Sequence, residues 1–397
     1  MKRFWVFALG LSRPGTMGGN SKIALEVTRC FAETGVETHL VVPSDKVKTV
    51  EDAIADRSKI RLHVVAAFPG DDKFHPLAAS RHFIAETRKV FRAEGVGPSD
   101  TVWGISEFHA DVIPLWVLKR EFGFRWVASV FLFVPFVFEN LAKGYGFPPI
   151  KYFVYWVYER LLFRLARLRA EAFVITNDTD RRFFPKAFQK NVFAFYGGVN
   201  VEQIPEGSVP LCPEGSVPKV RDVVFCSRLH PQKGIDGFLD IWKLVIGDCP
   251  RTRLAVIGNG TPEYEAYLKE KATRLGIADT IEWLGYVNNE AKYEIYRSAK
   301  VMVHPTVFDN NGMVAAEALC SGLPVVMYDL PALRDVYTTG CVKVPFGDRE
   351  QFAAEVVRLL ADPSRVAPDV AQIAALRDKW NWENRVAAFR KFLDSML

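Results

Sequence analysis

The segment from Val301 to Val326 constrains the fold of this chain more than any other. It reads VMVHPTVFDNNGMVAAEALCSGLPVV, an apolar run, a polar loop, a stretch with helical periodicity, a glycine turn and a second apolar run. Short apolar runs on either side of a helix are typical of parallel strands that are covered on both faces. The segment therefore predicts a strand–helix–strand unit of a doubly wound α/β sheet.

Two carboxylates flank the start of the predicted helix. Asp309 precedes the helix and Glu317 lies within it. Between them, Gly312 leaves the first amides of the helix uncovered, so that an anion can approach the backbone N–H groups. This arrangement suits a ligand that carries both hydroxyls and phosphate. A simpler interpretation is that Asp309 caps the helix and that Glu317 is exposed to solvent.

The same segment resembles the motif of family 4 glycosyltransferases (glycosyl transferases group 1), in which seven residues separate two glutamates. Asp309 stands in the place of the first glutamate, and Asn310 and Asn311 replace the usual Gly and Phe. The residues that match the motif are Gly312, Glu317, Ala318, Gly322 and Pro324. In that family the first acid holds a hydroxyl of the donor sugar and the second holds the ribose. The resemblance implies these roles for Asp309 and Glu317.

Two cations follow another predicted strand, Val223 to Ser227. Arg228 and Lys233 lie between this strand and a predicted helix, where both can reach one diphosphate. Such a pair is often only solvated surface charge. The same spacing, however, is the diphosphate-binding signature of the family. We therefore predict that Arg228 and Lys233 bind the donor diphosphate and stabilise it as the leaving group.

Glycine-containing turns complete the predicted donor site. They follow the predicted strands Arg253 to Ile257 and Ile281 to Leu284, and in the family such turns approach the sugar and the base. The loop with Gly18 and Gly19 resembles the N-terminal glycine loop of the family, which lies near the donor phosphates and the acceptor. The further donor-site residues implied by the resemblance are Gly18, Gly19, Gly258, Asn259, Gly260, Tyr286, Val287, Asn311, Gly312, Met313 and Val314.

The start of the chain predicts a βαβ unit. Phe4 to Leu9 is an apolar run, and a glycine-rich loop, a helix with apolar periodicity and a second run at Thr38 to Val42 follow it. The loop of such a unit lies at the carboxyl edge of the sheet, where ligands bind. A signal peptide is the alternative for this start, but no small-residue cleavage site follows.

The acceptor side is less clearly marked. His109 follows a predicted strand and either contacts the acceptor or packs at the sheet edge. The apolar run Trp126 to Phe138 is too short to span a membrane and predicts a buried strand that leads into a loop. Many relatives place a histidine in this run, facing the acceptor, whereas this chain has phenylalanines.

The segment from Ile150 to Arg169 alternates aromatic residues with arginines at near-helical spacing. On a helix, three of the arginines form one stripe and three aromatic residues lie beside it. The arginines are Arg160, Arg164 and Arg167, and the aromatic residues are Phe153, Trp156 and Phe163. This pattern predicts an interfacial helix at an anionic membrane that carries a lipid-linked acceptor. Alternatively, the aromatic residues pack on the first domain while the arginines stay solvated.

Length and composition predict the domain organisation and the compartment. The 397 residues suggest an acceptor-side domain at 1–199, a nucleotide-sugar domain at 200–375 and a helix at 376–397 that crosses back to the first domain. The sequence PEGSVP occurs at 205–210 and 213–218 and reads as a linker. The charge of +5 suits acidic ligands or anionic lipid but not a nucleic-acid partner. Six scattered cysteines without metal-ligand spacing suggest a cytoplasmic protein, with the inner face of the cell membrane as a further option.

Together these patterns predict two facing doubly wound Rossmann-like α/β domains with a cleft between them, the GT-B arrangement. The resemblance implies a retaining glycosyltransferase that moves a sugar from a nucleotide-diphosphate sugar to a glycan or lipid-linked acceptor, without a metal or other cofactor. Two alternatives stay open: a sugar-nucleotide epimerase or phosphorylase on the same fold, and a nucleotide-sugar-binding protein with a decayed site.

Overall fold

The computed structural model describes residues 2–12, 14, 18–70, 75–134, 149–205 and 221–396, apart from the side chains of residues 149, 151, 152 and 289. The chain divides into two units. The first comprises Met1–Gly197 and Trp382–Leu397, and the second comprises Gly198–Asn381. The predicted linker repeat beyond residue 205 and the end of the apolar run at 135–138 lie outside the described residues.

The described part of the first unit contains a parallel sheet in the order β3-β2-β1-β4-β5-β6-β7. The strands are β1 Arg3–Phe7, β2 Glu37–Pro43, β3 Ile60–Val65, β4 Asp100–Gly104, β5 Arg125–Val130, β6 Ala172–Ile175 and β7 Val192–Ala194. The helices between them are α1 Gly19–Glu33, α2 Val47–Ala53, α3 Pro76–Ala93, α4 His109–Phe122 and α5 Pro149–Arg167. The apolar start of the chain forms the central strand β1, which is buried from Phe4 to Phe7.

The second unit contains a parallel sheet in the order β10-β9-β8-β11-β12-β13. Its strands are β8 Val223–Cys226, β9 Leu254–Ile257, β10 Ile281–Gly285, β11 Val301–His304, β12 Val325–Tyr328 and β13 Cys341–Val344. Its helices are α6 Ile235–Asp248, α7 Pro262–Leu275, α8 Asn289–Arg297, α9 Met313–Cys320, α10 Pro331–Arg334, α11 Arg349–Ala361 and α12 Val370–Trp380. The predicted strand–helix–strand unit is β11, α9 and β12.

The last helix, α13 Trp382–Ser395, returns the chain to the first unit. Phe389 is fully buried there, with its ring centroid 5.6 Å from that of Trp103 and 6.5 Å from that of Phe4. The helix also packs against α1, where Arg29 donates to Glu383 at 2.9 Å. The first unit is therefore assembled from two segments that are distant in sequence.

Both sheets are doubly wound, and in each the strand order reverses at one point. The reversal lies between β1 and β4 in the first unit and between β8 and β11 in the second. In open α/β sheets, ligands bind at the carboxyl ends of the strands beside this point. The predicted fold class, two doubly wound Rossmann-like units, is confirmed. Within the described residues, no helix is both long enough and apolar enough to cross a bilayer.

Candidate active site

The loops after β8 and β11 meet at the switch point of the second sheet. Gly234 follows the short 3-10 helix Pro231–Lys233 with φ +72°, and a Cβ on it would lie 1.9 Å from the carbonyl oxygen of Pro305. Only glycine allows this close approach between the two loops. We use the name β8–β11 site for Arg228, Lys233, His304, Asp309, Gly312 and Glu317, which the end of β11, these two loops and α9 carry.

Asp309 is bound on both of its carboxylate oxygens. Oδ1 accepts the backbone N–H groups of Asn311 and Gly312, both at 3.2 Å, and Oδ2 accepts Lys233 Nζ at 2.6 Å. Burial raises the pKa of Asp309, but the charge of Lys233 and the nearby His304 outweigh burial and hold it well below its usual value. Asp309 therefore caps the turn before α9 and not the helix itself, whose N-cap is Gly312. Its contact with a donor sugar stays a prediction.

The amino end of α9 is open to a ligand. Gly312 is the N-cap, with φ +62°, and no side chain caps the helix. Tyr337 fixes the turn by hydrogen bonding from its hydroxyl to the carbonyl oxygens of Asn311 and Gly312, each at 2.8 Å. The first amides of α9, those of Met313 and Val314, therefore stand at a rigid helix start, the usual position for binding an anion.

Glu317 is buried rather than solvated, so the simpler interpretation was wrong for this residue. Its Oε2 accepts Lys292 Nζ at 2.8 Å, and both side chains are nearly inaccessible to solvent. Burial acts to lower the pKa of Lys292, but Glu317 outweighs it and raises that pKa. The sequence analysis missed Lys292. The available signal was a lysine on the helix face that carries Tyr293 and Tyr296, which are both buried.

Arg228 is exposed and has no hydrogen bond or ion pair from its side chain to any residue that the structure describes. The charges of Arg228 and Lys233 nevertheless act on the same residue, His230. Burial lowers the pKa of His230, and the charges of Arg228 and Lys233 lower it further. The two cations predicted to bind a diphosphate are therefore near neighbours, one engaged with Asp309 and one exposed.

The turns after β9 and β10 lie next to the loop after β8. Leu229 N–H donates to the carbonyl of Asn259 at 2.9 Å, and Gly258 N–H donates to that of Gly285 at 2.7 Å. Gly260 and Val287 are half-buried, whereas Asn259 is exposed and Tyr286 is 77% exposed. The predicted donor-side turns are thus brought to one edge of the second sheet.

His304 was missed by the sequence analysis. It is the last residue of β11 and is buried, and its Nε2 lies 3.6 Å from Asp309 Oδ2. A histidine that ends an apolar strand at a proline was the available signal, because strand ends in this fold face the ligand.

In the first unit, Gly18 and Gly19 form the start of α1. Gly18 is the N-cap, and its N–H donates to Ser12 Oγ at 3.0 Å. Asp111 holds the preceding part of the loop by accepting the N–H groups of Leu9 and Gly10. These contacts order the described part of the glycine loop at the carboxyl edge of the first sheet.

His109 begins α4 and packs at the sheet edge. Its Nδ1 lies 2.6 Å from the hydroxyl of Tyr158 on α5, and the residue is buried. The packing interpretation of His109 accounts for this position. Its contact with an acceptor stays a prediction.

The predicted stripe of three arginines on α5 needs correction. Arg160 is half-buried and stacks on aromatic rings, because its guanidinium lies 4.7 Å from the ring centroid of Phe183 and 5.2 Å from that of Phe133. Phe163 is also buried, whereas Arg164 and Arg167 are exposed. The exposed apolar residues of this segment are Ile150, Phe153, Val154, Leu161 and Leu168.

Buried carboxyl groups support the edge of the first sheet and were not predicted. Glu107 Oε2 accepts the N–H of Phe131 at 3.2 Å, and Glu159 Oε2 accepts that of Val134 at 3.2 Å. Burial raises the pKa of Glu107, Asp111 and Glu159 to about 7 in each case. Glu107 and Glu159 therefore hold the loop after β5, and Asp111 holds the loop after β1, as largely protonated acids over much of the acid range.

Two clusters in the described part of the chain have the composition of metal ligands, and both belong to the first unit: His39, His63 and Glu94, and Cys30, Glu33 and Glu383. The rings of His39 and His63 are parallel, with Nδ1 and Nε2 2.9 Å apart, and both stack on Trp5. A hydrogen bond between the two imidazoles accounts for this pair. The cysteines that the structure describes are free thiols.

The second unit matches a known family. Residues 220–362 match the family model described as Glycosyl transferases group 1. The phosphatidyl-myo-inositol mannosyltransferase of Mycobacterium leprae is 30% identical over 53% of this chain and 55% of its own length. The D-inositol 3-phosphate glycosyltransferase of Geodermatophilus obscurus is 32% identical over 41% of this chain and 38% of its own length. The chain spans about half or less of the length of these curated relatives.

Solved structures match the whole chain in fold. The sucrose-phosphate synthase of Thermosynechococcus elongatus has a TM-score of 0.79 at 15% identity, covering 100% of this chain and 99% of that one. HepE of Anabaena in complex with UDP and glucose has a TM-score of 0.71 at 15% identity, covering 99% and 100%. At such identities the likeness shows the fold alone. The resemblance to the glycosyl transferases group 1 is therefore confirmed through a match that spans residues 220–362, and both units have the fold of GT-B glycosyltransferases.

Proposed function

We propose that this protein transfers a sugar from a nucleotide-diphosphate sugar to a hydroxyl group of a glycan or lipid-linked acceptor. The observation that carries the proposal is the β8–β11 site, where two cations, an uncapped helix start and two buried carboxylates meet. The cations and amides suit a diphosphate, and the carboxylates suit sugar and ribose hydroxyls.

The reaction breaks the bond between the anomeric carbon and the diphosphate, and negative charge develops on the leaving group. Arg228, Lys233 and the first amides of α9 stabilise that charge. Asp309 holds the sugar and Glu317 the ribose. We propose retention of configuration by attack on the front face, with the leaving phosphate accepting the proton of the acceptor hydroxyl. The positive charge comes from Arg228 and Lys233, and the proposal includes no metal or other cofactor.

The comparisons suggest which donors and acceptors to test first. The HepE structure contains UDP and glucose, and one of the similar proteins is a phosphatidyl-myo-inositol mannosyltransferase. We therefore propose a hexose donor with a UDP or GDP carrier. An acceptor attached to lipid agrees with the exposed apolar and basic residues of α5, and we propose that the protein works at the inner face of the cell membrane.

A screen of nucleotide sugars by thermal shift tests the donor, because a ligand that binds only the folded state raises the unfolding temperature.

Arg228→Ala removes a charge-assisted hydrogen bond of about 1.5–3 kcal/mol. It should weaken binding of the diphosphate sugar by about 10- to 100-fold and leave nucleoside binding nearly unchanged. Arg251→Ala, an exposed arginine before β9, is the matched control.

Nucleotide release in the presence of an acceptor then separates the enzyme from its alternatives. A transferase releases UDP or GDP and yields a glycosylated acceptor. Donor binding without release supports a decayed binding protein, and conversion of the donor without an acceptor supports an epimerase. If no nucleotide sugar stabilised the protein, or if Arg228→Ala bound the donor as tightly as the parent, the proposal would be wrong.

A further inference from the structure

His304 points at a carboxylate oxygen that Lys233 already holds. Its Nε2 lies 3.6 Å from Asp309 Oδ2, and within the described residues this buried nitrogen has no hydrogen-bond partner. A Cβ on Gly312 would lie 3.2 Å from the same nitrogen. The glycine at the start of α9 thus leaves space for the imidazole. Lys233 and His304 share one anionic partner.

Under the proposed function, two anions compete for Lys233: the Asp309 carboxylate and the donor diphosphate. Its Nζ lies 2.6 Å from Asp309 Oδ2 in the structure, and a bound diphosphate would attract the same ammonium group. When Lys233 turns to the diphosphate, Oδ2 loses its cation, whereas Oδ1 keeps the amides of Asn311 and Gly312. A buried carboxylate without a partner is costly, so another positive charge is needed at Oδ2.

The titratable groups around Asp309 Oδ2 indicate which side chain can supply that positive charge. Burial raises the pKa of Asp309, but the charge of Lys233 outweighs burial and holds it well below its usual value, so that Asp309 stays charged near neutral pH. The Tyr337 hydroxyl is engaged with the carbonyls of Asn311 and Gly312. Imidazole is the side chain that exchanges a proton in this range. Departure of Lys233 removes a positive charge beside it, and arrival of a diphosphate adds negative charge. Both changes favour the protonated ring.

We propose that His304 takes up a proton from solvent when a nucleotide-diphosphate sugar binds and then replaces Lys233 as the partner of Asp309 Oδ2. His304 is thus a positioning residue: it keeps Asp309 in place while Lys233 is transferred to the diphosphate. This inference rests on the proposed function, because it needs a diphosphate at the β8–β11 site. No covalent bond forms or breaks, and the proton moves to Nε2.

Calorimetry of the full chain tests the proton uptake. UDP-glucose and GDP-mannose are titrated near pH 7 in PIPES and in Tris, whose ionisation enthalpies differ and which contain no phosphate. The probes are diphosphate diesters with no group that titrates near neutral pH, so that any uptake belongs to the protein. For the probe that binds, the enthalpy should differ between the buffers by an amount that corresponds to uptake of a fraction of one proton.

Two variants assign the uptake to His304. His304→Gln keeps a hydrogen-bond donor for Asp309 but cannot change charge, so the uptake should vanish. His230→Asn is the matched control, because it removes the histidine in the loop after β8 while asparagine still caps residues 231–233. This control should keep the uptake. Lys233→Gln gives an independent check that applies even if His304→Gln fails to fold. In this variant His304 is already the partner of Asp309 before the ligand binds. Proton uptake on binding should therefore be lost.

The outcomes separate this inference from the proposed function. Binding of a nucleotide sugar without proton uptake overturns the role of His304 and leaves the proposed function standing. Uptake that persists in His304→Gln, or in Lys233→Gln, also overturns it. If neither nucleotide sugar binds the parent, the proposed function fails at the same time.

Discussion

At the scale of single residues, both carboxylates of the β8–β11 site are neutralised by a lysine, whereas Arg228 is unpaired among the described residues. Lys233 pairs with Asp309, and Lys292 pairs with Glu317. Charges this far from water are stable only while both partners are present. The pairs therefore hold the carboxylates in place and also limit what each residue can be changed to without loss of stability.

We expect Lys292→Met to destabilise the protein by about 3–5 kcal/mol, because it leaves the Glu317 carboxylate buried without a partner. The double variant Lys292→Met with Glu317→Gln should recover most of that loss. Unfolding in denaturant measures both. Lys300→Met is the matched control, since its pair with Asp222 is partly exposed and worth at most about 1 kcal/mol. A double variant as unstable as the single one would show that the pair does not set the stability.

Asp309→Asn should separate binding from turnover. Asparagine can keep the hydrogen bonds from the amides of Asn311 and Gly312, but it no longer holds Lys233 by charge. The freed lysine should bind the diphosphate several-fold more tightly, whereas kcat should fall because the sugar contact loses its charge. Binding and steady-state assays test this against Asp248→Asn, an exposed carboxylate at the end of α6. If affinity and kcat fell together, Asp309 would be mainly a structural support.

At the scale of elements, periodicity predicted where helices and strands occur but not which long-range partners they meet. The segment 301–326 was predicted as strand, helix and strand because its apolar runs and glycines are local signals. The helix of α5 was also expected, yet Arg160 packs on Phe133 and Phe183, which come from loops after β5 and β6. Local spacing carries no information about such rings. For the same reason, the helix face of α8 could mark Lys292 as a candidate but could not name Glu317 as its partner.

The exposed part of α5 gives a prediction about membrane binding. Leu161 and Leu168 are exposed beside Arg164 and Arg167, a combination typical of interfacial helices. The protein should sediment with anionic vesicles at low salt and not with neutral ones. Each exposed cation should contribute about 1 kcal/mol to the free energy of binding to the anionic surface.

Arg164→Gln with Arg167→Gln should reduce this binding about tenfold or more. The matched control is Arg81→Gln with Arg120→Gln, two exposed arginines on α3 and α4 of the same unit. No binding of the parent at low salt, or equal losses in the two double variants, would argue against a membrane contact through α5.

At the scale of the whole molecule, the two units should respond to pH in opposite directions. In the first unit, burial raises the pKa of Glu107 from 4.5 to about 7, so that the folded state keeps a proton that the unfolded chain loses. The free energy of unfolding of the first unit therefore falls as the pH rises from 4.5 to about 7, by about 3 kcal/mol from Glu107 alone. In the second unit, the pKa of Asp309 is lowered, so its stabilisation is complete above the ordinary pKa and is lost in stronger acid.

Hydrogen exchange at pH 5 and pH 8, corrected for the intrinsic exchange rates, can follow each unit separately. Peptides of β4 and β5 should be less protected at pH 8 than at pH 5, and Glu107→Gln should reduce that difference. Glu51→Gln, an exposed residue of α2, should not reduce it. Equal protection of the first unit at both values would contradict the raised pKa of Glu107 as a source of instability.

The return of α13 to the first unit has a consequence for synthesis on the ribosome. Every residue of the second unit, Gly198–Asn381, emerges before Trp382–Leu397 does. The second unit can therefore complete its fold while the first still lacks Phe389, the ring that packs near Phe4 and Trp103. Until then, the apolar surface that α13 covers is exposed in the nascent chain, and this is the interval in which a chaperone would find a binding site.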